Sequence, residues 1–140
     1  METELKKFGY NVKWYAFSDS NDLASVTTTA CAESDVLYIP TDNTVADNTE
    51  VINNIALPAK TPIVAGEEGI CRGCGVATLS ISYYDIGKAA GEMAYRILCE
   101  GADVASMPVA FAEAATKKYD AERCQALGVT VPSGYETIDG

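Results

Sequence analysis

The sequence predicts an α/β fold, a doubly wound parallel sheet in three layers, α/β/α. Three observations predict it. Short apolar runs such as DVLYIP (35–40) and TPIVA (61–65) read as buried parallel strands. Longer segments with helical apolar spacing alternate with them. Polar clusters repeatedly follow the apolar runs, as in β-loop-α units with right-handed crossovers.

The elements follow in order. Residues 2–8 read as the last turns of a helix closed by Gly9. YNVKWYAF (10–17) is β-rich and partly alternating, so a strand is expected. Ser18, Asp19, Ser20, Asn21 and Asp22 form a turn and N-cap cluster before a helix over 23–32. After the strand at 35–40, Thr41, Asp42, Asn43 and Thr44 cap a helix running to about Leu57, with Val45, Val51, Ile52 and Ile55 as its buried stripe. TPIVA is the next strand, broken by Gly66-Glu67-Glu68-Gly69, and GVATLSIS (75–82) is another. The clearest helix is 84–100, where Ile86, Ala89, Ala90, Met93, Ile97 and Leu98 share a face. PVAFAE (108–113) reads as a strand, and 120–127 as a short helix stopped by Gly128.

Composition narrows the function. Over 140 residues the hydrophobic fraction is 48%, enough for one packed domain. A net charge of -10 argues against nucleic acid, because a phosphate-backbone binder needs a basic stripe, and against anionic membranes. No apolar run approaches the roughly 20 residues that span a bilayer. METELKKFGY is charged from its second residue and does not read as a secretory signal.

The chain has no histidine, which removes the commonest general base and most zinc sites. Five cysteines cannot all pair within one chain. Cys71 and Cys74 form a CxxC placed in a Gly-rich loop, without the second CxxC a zinc site needs, so no metal is expected and a structural role is favoured. Cys31 and Cys99 read as small core residues. No cofactor motif is present: neither a P-loop nor a GxGxxG occurs.

In parallel sheets ligands sit beyond the carboxyl ends of the strands. The clusters 18–22, 41–44 and 66–69 fall there, so Ser18, Ser20, Asn21, Asp22, Thr41, Asp42, Asn43, Glu67 and Glu68 are candidate ligand-binding residues, and Tyr83 joins them as an aromatic surface. Each has a plainer reading. Asp42 is also an ordinary N-cap, Asn43 a turn residue, Tyr83 a helix-start packing group, and Glu67 and Glu68 solvated loop carboxylates. With no nucleophile, metal or histidine beside them, the two glutamates are not read as catalytic.

Four runs in this order carry a family resemblance: SDSNDLASV (18–26), DVLYIPTDN (35–43), PIVAGEEG (62–69), and YYDIG (83–87) followed by GEMA (91–94). Together they resemble the ABC transporter substrate-binding proteins related to tryptophan- and phenylalanine-binding lipoproteins, which have the type I periplasmic-binding-protein fold. The resemblance covers nearly the whole chain. It implies a two-lobed, hinged, extracytoplasmic protein that closes on an amino-acid-like ligand and presents it to a membrane permease. It also implies that this chain matches only the later half. Residues 1–81 and 104–118 would belong to the second lobe, and 82–103 and 119–140 would be crossovers toward a first lobe. An orphan helix and an exposed strand edge raise the expectation of a homodimer. By the same resemblance Asp42 or Glu68 would meet a ligand ammonium, and Ser18, Ser20, Thr41 and Thr44 its carboxylate. The competing classes are an effector-binding sensor lobe of a regulator, which shares the fold, and a flavodoxin-like enzyme or receiver, whose expected late lysine context is absent.

Overall fold

The computed structural model describes residues 1–111 and 115–138. Seven α-helices and five strands are assigned among them: α1 Glu2–Lys7, α2 Ser20–Glu33, β1 Leu37–Ile39, α3 Asn43–Ala46, α4 Thr49–Ala56, β2 Ile63–Ala65, α5 Glu68–Cys74, β3 Ala77–Ile81, α6 Tyr83–Glu100, β4 Ala115–Tyr119, α7 Ala121–Leu127 and β5 Glu136–Thr137. The strands form one sheet in the order β1-β2-β3-β4-β5. The α/β class holds.

The pairings β1–β2, β2–β3 and β4–β5 are parallel. The pairing β3–β4 is antiparallel, with Ala77 opposite Tyr119 and Ile81 opposite Ala115, which corrects the expectation of an all-parallel sheet. The chain leaves β3 through α6 and comes back along β3 from its far end. Because β5 is parallel to β4, both strands run against β1–β3, and such mixed sheets are common.

One face of the sheet carries the core. Leu23 of α2, Val45 of α3, Ile52 and Ala56 of α4, Ile63 and Ala65 of β2, and Ile70, Cys71 and Cys74 of α5 form a single buried cluster. Each fully buried isoleucine there contributes about 1.5–3 kcal/mol of transfer free energy. The other face alternates out of it. Tyr38, Val64, Leu79 and Ile81 are all at least 38% exposed, and the β1–β2 and β2–β3 registers place Tyr38, Val64 and Ala77 in one row. The helices that build the core thus lie on one face, and the second helical layer of the expected sandwich is not seen over the other among the described residues.

Several expected elements change for identifiable reasons. YNVKWYAF forms no strand: it makes no ladder hydrogen bonds and is instead tied by its side chains. Lys13 and Tyr15 bond Glu33 at the end of α2, and the Trp14 indole donates to Glu2 at 2.8 Å. Strand propensity needs a neighbour to pair with, and this segment packs along a helix. The helix expected from 44 to 57 is two: Asp47 caps α3, Asn48 stands outside helical geometry, and α4 restarts at Thr49. The CxxC is not in a loop but on α5, because Glu67 caps that helix directly after the glycine break. Cys99 is exposed rather than core, while Cys71, Cys74 and Cys124 are buried. The strand expected at 108–113 is absent over 108–111, and residues 112 and 113 lie outside the described residues. The strand that does form nearby is β4.

Candidate functional site

Strand polarity assembles one rim. β1 and β2 run parallel, so their carboxyl ends deliver Pro40–Asn43 and Gly66–Glu68 side by side. The two loops touch: the Gly66 amide donates to Ile39 carbonyl at 2.7 Å, and a Cβ on Gly66 would stand 2.8 Å from the Thr41 nitrogen. β3 is parallel to β2, so Ser82 and Tyr83 emerge on the same rim. The Thr61 hydroxyl on the way into β2 donates to the carbonyl of Cys31, near the end of α2. The opposite terminus of this 14-residue helix, carrying Ser18–Asp22, lies roughly 20 Å along the helix from that contact.

Capping explains why these polar residues are where they are. Asp19 accepts from Asn21 nitrogen at 2.7 Å and starts α2, and Asp22 accepts from Ser18 nitrogen at 3.4 Å. Asp42 accepts from Val45 nitrogen at 2.9 Å and starts α3. Glu67 accepts from Gly69 at 2.8 Å and from Ile70, starting α5. Ser82 accepts from Asp85 nitrogen at 3.1 Å and starts α6. The N-cap reading of Asp42 is thus realised. Each cap satisfies an amide that the helix leaves without an internal partner.

Glu67, Glu68 and Tyr83 line one open cavity of about 540 Å³, together with Arg72, Ser80, Ile81, Ser82, Thr116 and Lys118. The other seven sequence candidates do not line it. Thr41, Asp42 and Asn43 sit on the neighbouring loop, and Ser18, Ser20, Asn21 and Asp22 form the entry to α2. Tyr83 is 64% exposed at the cavity mouth.

Glu68 is already engaged. It accepts from Lys118 Nζ at 2.7 Å and from Arg72 at 3.3 Å. The hydrogen bond from Lys118, with Arg72 behind it, holds the Glu68 carboxyl below its ordinary range. Arg72 and Lys118 escaped the sequence reading. The Glu68–Arg72 spacing of four on a helix was an available signal, but Lys118 was not recognisable until β4 was placed antiparallel to β3.

Arg123 of α7 was missed as well, and it is structural. It donates to the carbonyls of Arg72 at 2.9 Å and Gly73 at 2.8 Å, to Asn53 at 2.9 Å, and to Asp120 at 2.6 Å, closing the carboxyl end of α5. The CxxC offers no nucleophile. Burial pushes the Cys71 thiol up to about 12 and the Cys74 thiol up to about 11, so both are protonated at neutral pH. Among the described residues no group of acidic or thiol side chains is arranged to hold a metal ion.

A family model described as ABC transporter substrate binding protein matches residues 1–135. A curated relative, the tyrosine-binding protein of Clostridioides difficile strain R20291, is 35% identical over 104 residues, covering 74% of this chain and 30% of the relative. A ligand-free, open substrate-binding protein with adhesive properties from Clostridium difficile superposes with a TM-score of 0.77 at 31% identity, over 98% of this chain and 47% of that one. A domain from Streptococcus pneumoniae solved in complex with L-Trp gives a TM-score of 0.84 at 27% identity, over 97% and 49%. A conserved domain protein from Vibrio cholerae gives 0.85 at 27%, over 97% and 47%. The chain therefore spans 30% of the curated relative and about half of each matched structure.

Proposed function

The chain belongs to the ABC transporter substrate-binding protein family, and from that premise we propose that it forms one jaw of a ligand clamp serving an importer. The ligand is an aromatic or hydrophobic amino acid, held between this rim and a second lobe. The observation that carries the reading is the rim itself. The parallel ends of β2 and β3, with β4 beside them, open onto a cavity of about 540 Å³, within the range typical of small-molecule sites. The relatives named for tyrosine and solved with L-Trp favour an amino acid with a ring.

The remaining assignments follow from that proposal. Closure of the two lobes stabilises the bound form, and a permease reads the closed form. Such a protein works outside the cytoplasm, tethered as a lipoprotein or free. No described helix is long and apolar enough to cross a membrane. The protein performs no catalysis in this reading. Its protonated thiols and capping carboxylates fit binding rather than turnover.

The sheet with α1 to α5 forms the lobe at hand, and α6 belongs with a second one. Residues 119–138, expected as a crossover, are part of this lobe too, because β5 pairs with β4 and Arg123 ties α7 to α4 and α5. α6 has no buried residue, and Tyr84 and Leu98 are at least 80% exposed. A second lobe accounts for that bare helix, and no observation favours the homodimer expected from the sequence. The test is isothermal calorimetry with tryptophan, phenylalanine, tyrosine and branched-chain amino acids, on protein carrying both lobes. Saturable heat with at least one aromatic member is expected. Silence across the panel sinks the amino-acid reading.

A further inference from the structure

We propose that Lys118 and Arg72 are the pair that reads the ligand's carboxylate, and that Glu68 is their resting counter-ion rather than the acceptor of its ammonium. The proposal rests on the ligand-binding reading above and deepens it. Two cations from different elements, Arg72 on α5 and Lys118 on β4, converge on one carboxylate in the cavity wall. The second carboxylate there, Glu67, is turned to the amides of Gly69 and Ile70 as a helix cap. Glu68 alone thus faces both cations. Arg72, Lys118 and Glu68 together carry one net positive charge, which Glu67 offsets over the cavity as a whole, within a chain whose net charge is -10.

An ammonium placed at Glu68 would stand beside both cations, and like charges at such range repel. A carboxylate there meets the opposite situation. Lys118 has three donors and Arg72 five, of which one each is used on Glu68. The remaining donors can hold an incoming anion while Glu68 stays or swings aside. The side chains of Lys118 and Glu68 are 26% and 30% exposed, so this pairing is partly shielded from water and stronger than an open surface contact. Ser80, Ser82 and Thr116 add hydroxyls around the cavity, and Ile81 and Tyr83 offer apolar surface beside the charge. The ligand class that fits is a carboxylate with an adjoining apolar or aromatic group.

The test uses calorimetry with L-tryptophan, tryptamine, which lacks the carboxylate, and indole-3-propionate, which lacks the ammonium. A thermal-shift series with sodium propionate runs alongside. Indole-3-propionate should bind and tryptamine should not. Lys118→Met should weaken tryptophan and indole-3-propionate by about 10- to 100-fold, the worth of a charge-assisted hydrogen bond. Lys118→Arg should restore most of that loss. Arg72→Gln, on a 55% exposed side chain, should weaken both compounds less and leave the fold intact. Tryptamine binding as tightly as tryptophan, or a change below about twofold in a folded Lys118→Met protein, overturns the proposal. Wild type that ignores all three indoles but is stabilised by propionate through Lys118 sinks the aromatic ligand and keeps the anion subsite. Wild type silent to both overturns both.

Discussion

Arg123 shows how one side chain can hold three elements together. Its guanidinium meets the last carbonyls of α5, the side chain of Asn53 on α4, and Asp120 at the cap of α7. A cation at a helix carboxyl end also meets the negative end of the dipole. Replacing it with Met keeps much of the stem but leaves those acceptors unpaired at a site that is only 17% exposed. Arg123→Met should lower stability by about 2–4 kcal/mol, read as a shifted denaturant midpoint with unchanged slope. Glu68 carries the acid-side prediction. Its folded pKa is depressed, first by the Lys118 hydrogen bond, so its contribution is present above its ordinary value of 4.5 and is lost as pH falls through the lower folded value. Wild type should therefore exceed Glu68→Gln in stability at pH 7, and the gap should narrow steadily below pH 4.5 in urea titrations. A gap that stays constant to low pH would mean the ion pairs contribute nothing in this window.

At the scale of elements, the rim depends on how closely two loops approach. Gly66 does not have a left-handed backbone; what it supplies is the absence of a side chain where β2 ends against Pro40 and Thr41. A methyl there would face backbone atoms at 2.8 and 3.0 Å, which cannot swing aside as a flexible side chain would. Gly66→Ala should cost about 1–3 kcal/mol and should spread the loops that carry Asp42 and Glu67. Thermal unfolding measures the first effect, and amide chemical shifts over 40–43 and 66–69 report the second. The caps Asp19 and Asp42 were legible in the sequence, because Asp before an apolar-periodic run signals a helix start, whereas Glu67 and Ser82 were not read as caps. The loop contact was not, since it joins residues 25 apart through a strand register.

For the whole molecule, the asymmetry of burial matters most. α2, α4 and α5 share one core on one sheet face, whereas α6 buries nothing and the opposite face leaves Tyr38, Val64, Leu79 and Ile81 in contact with solvent. An 18-residue helix that buries none of its residues is only marginally stable in water. Hydrogen–deuterium exchange on this chain should therefore show α6 exchanging orders of magnitude faster than α5, and slowing when the second lobe is present. Equal protection of the two helices would contradict the bare-helix picture.

The sequence by itself determined the α/β class, the order of most helices, the caps Asp19 and Asp42, and the places of the strands in DVLYIP and TPIVA, though the first of these is half-exposed rather than buried. These rest on local chemistry, on apolar period and on the amide needs of helix ends, which a single chain states residue by residue. Only the tertiary structure decided that YNVKWYAF would lie along a helix, that β4 would run antiparallel, that the CxxC would be buried in α5, and that Lys118 and Arg72 would meet at Glu68. Those outcomes depend on which partner occupies the space beside a segment. Strand pairing and ion-pair geometry are properties of two segments at once, and the partner is not written in either one alone.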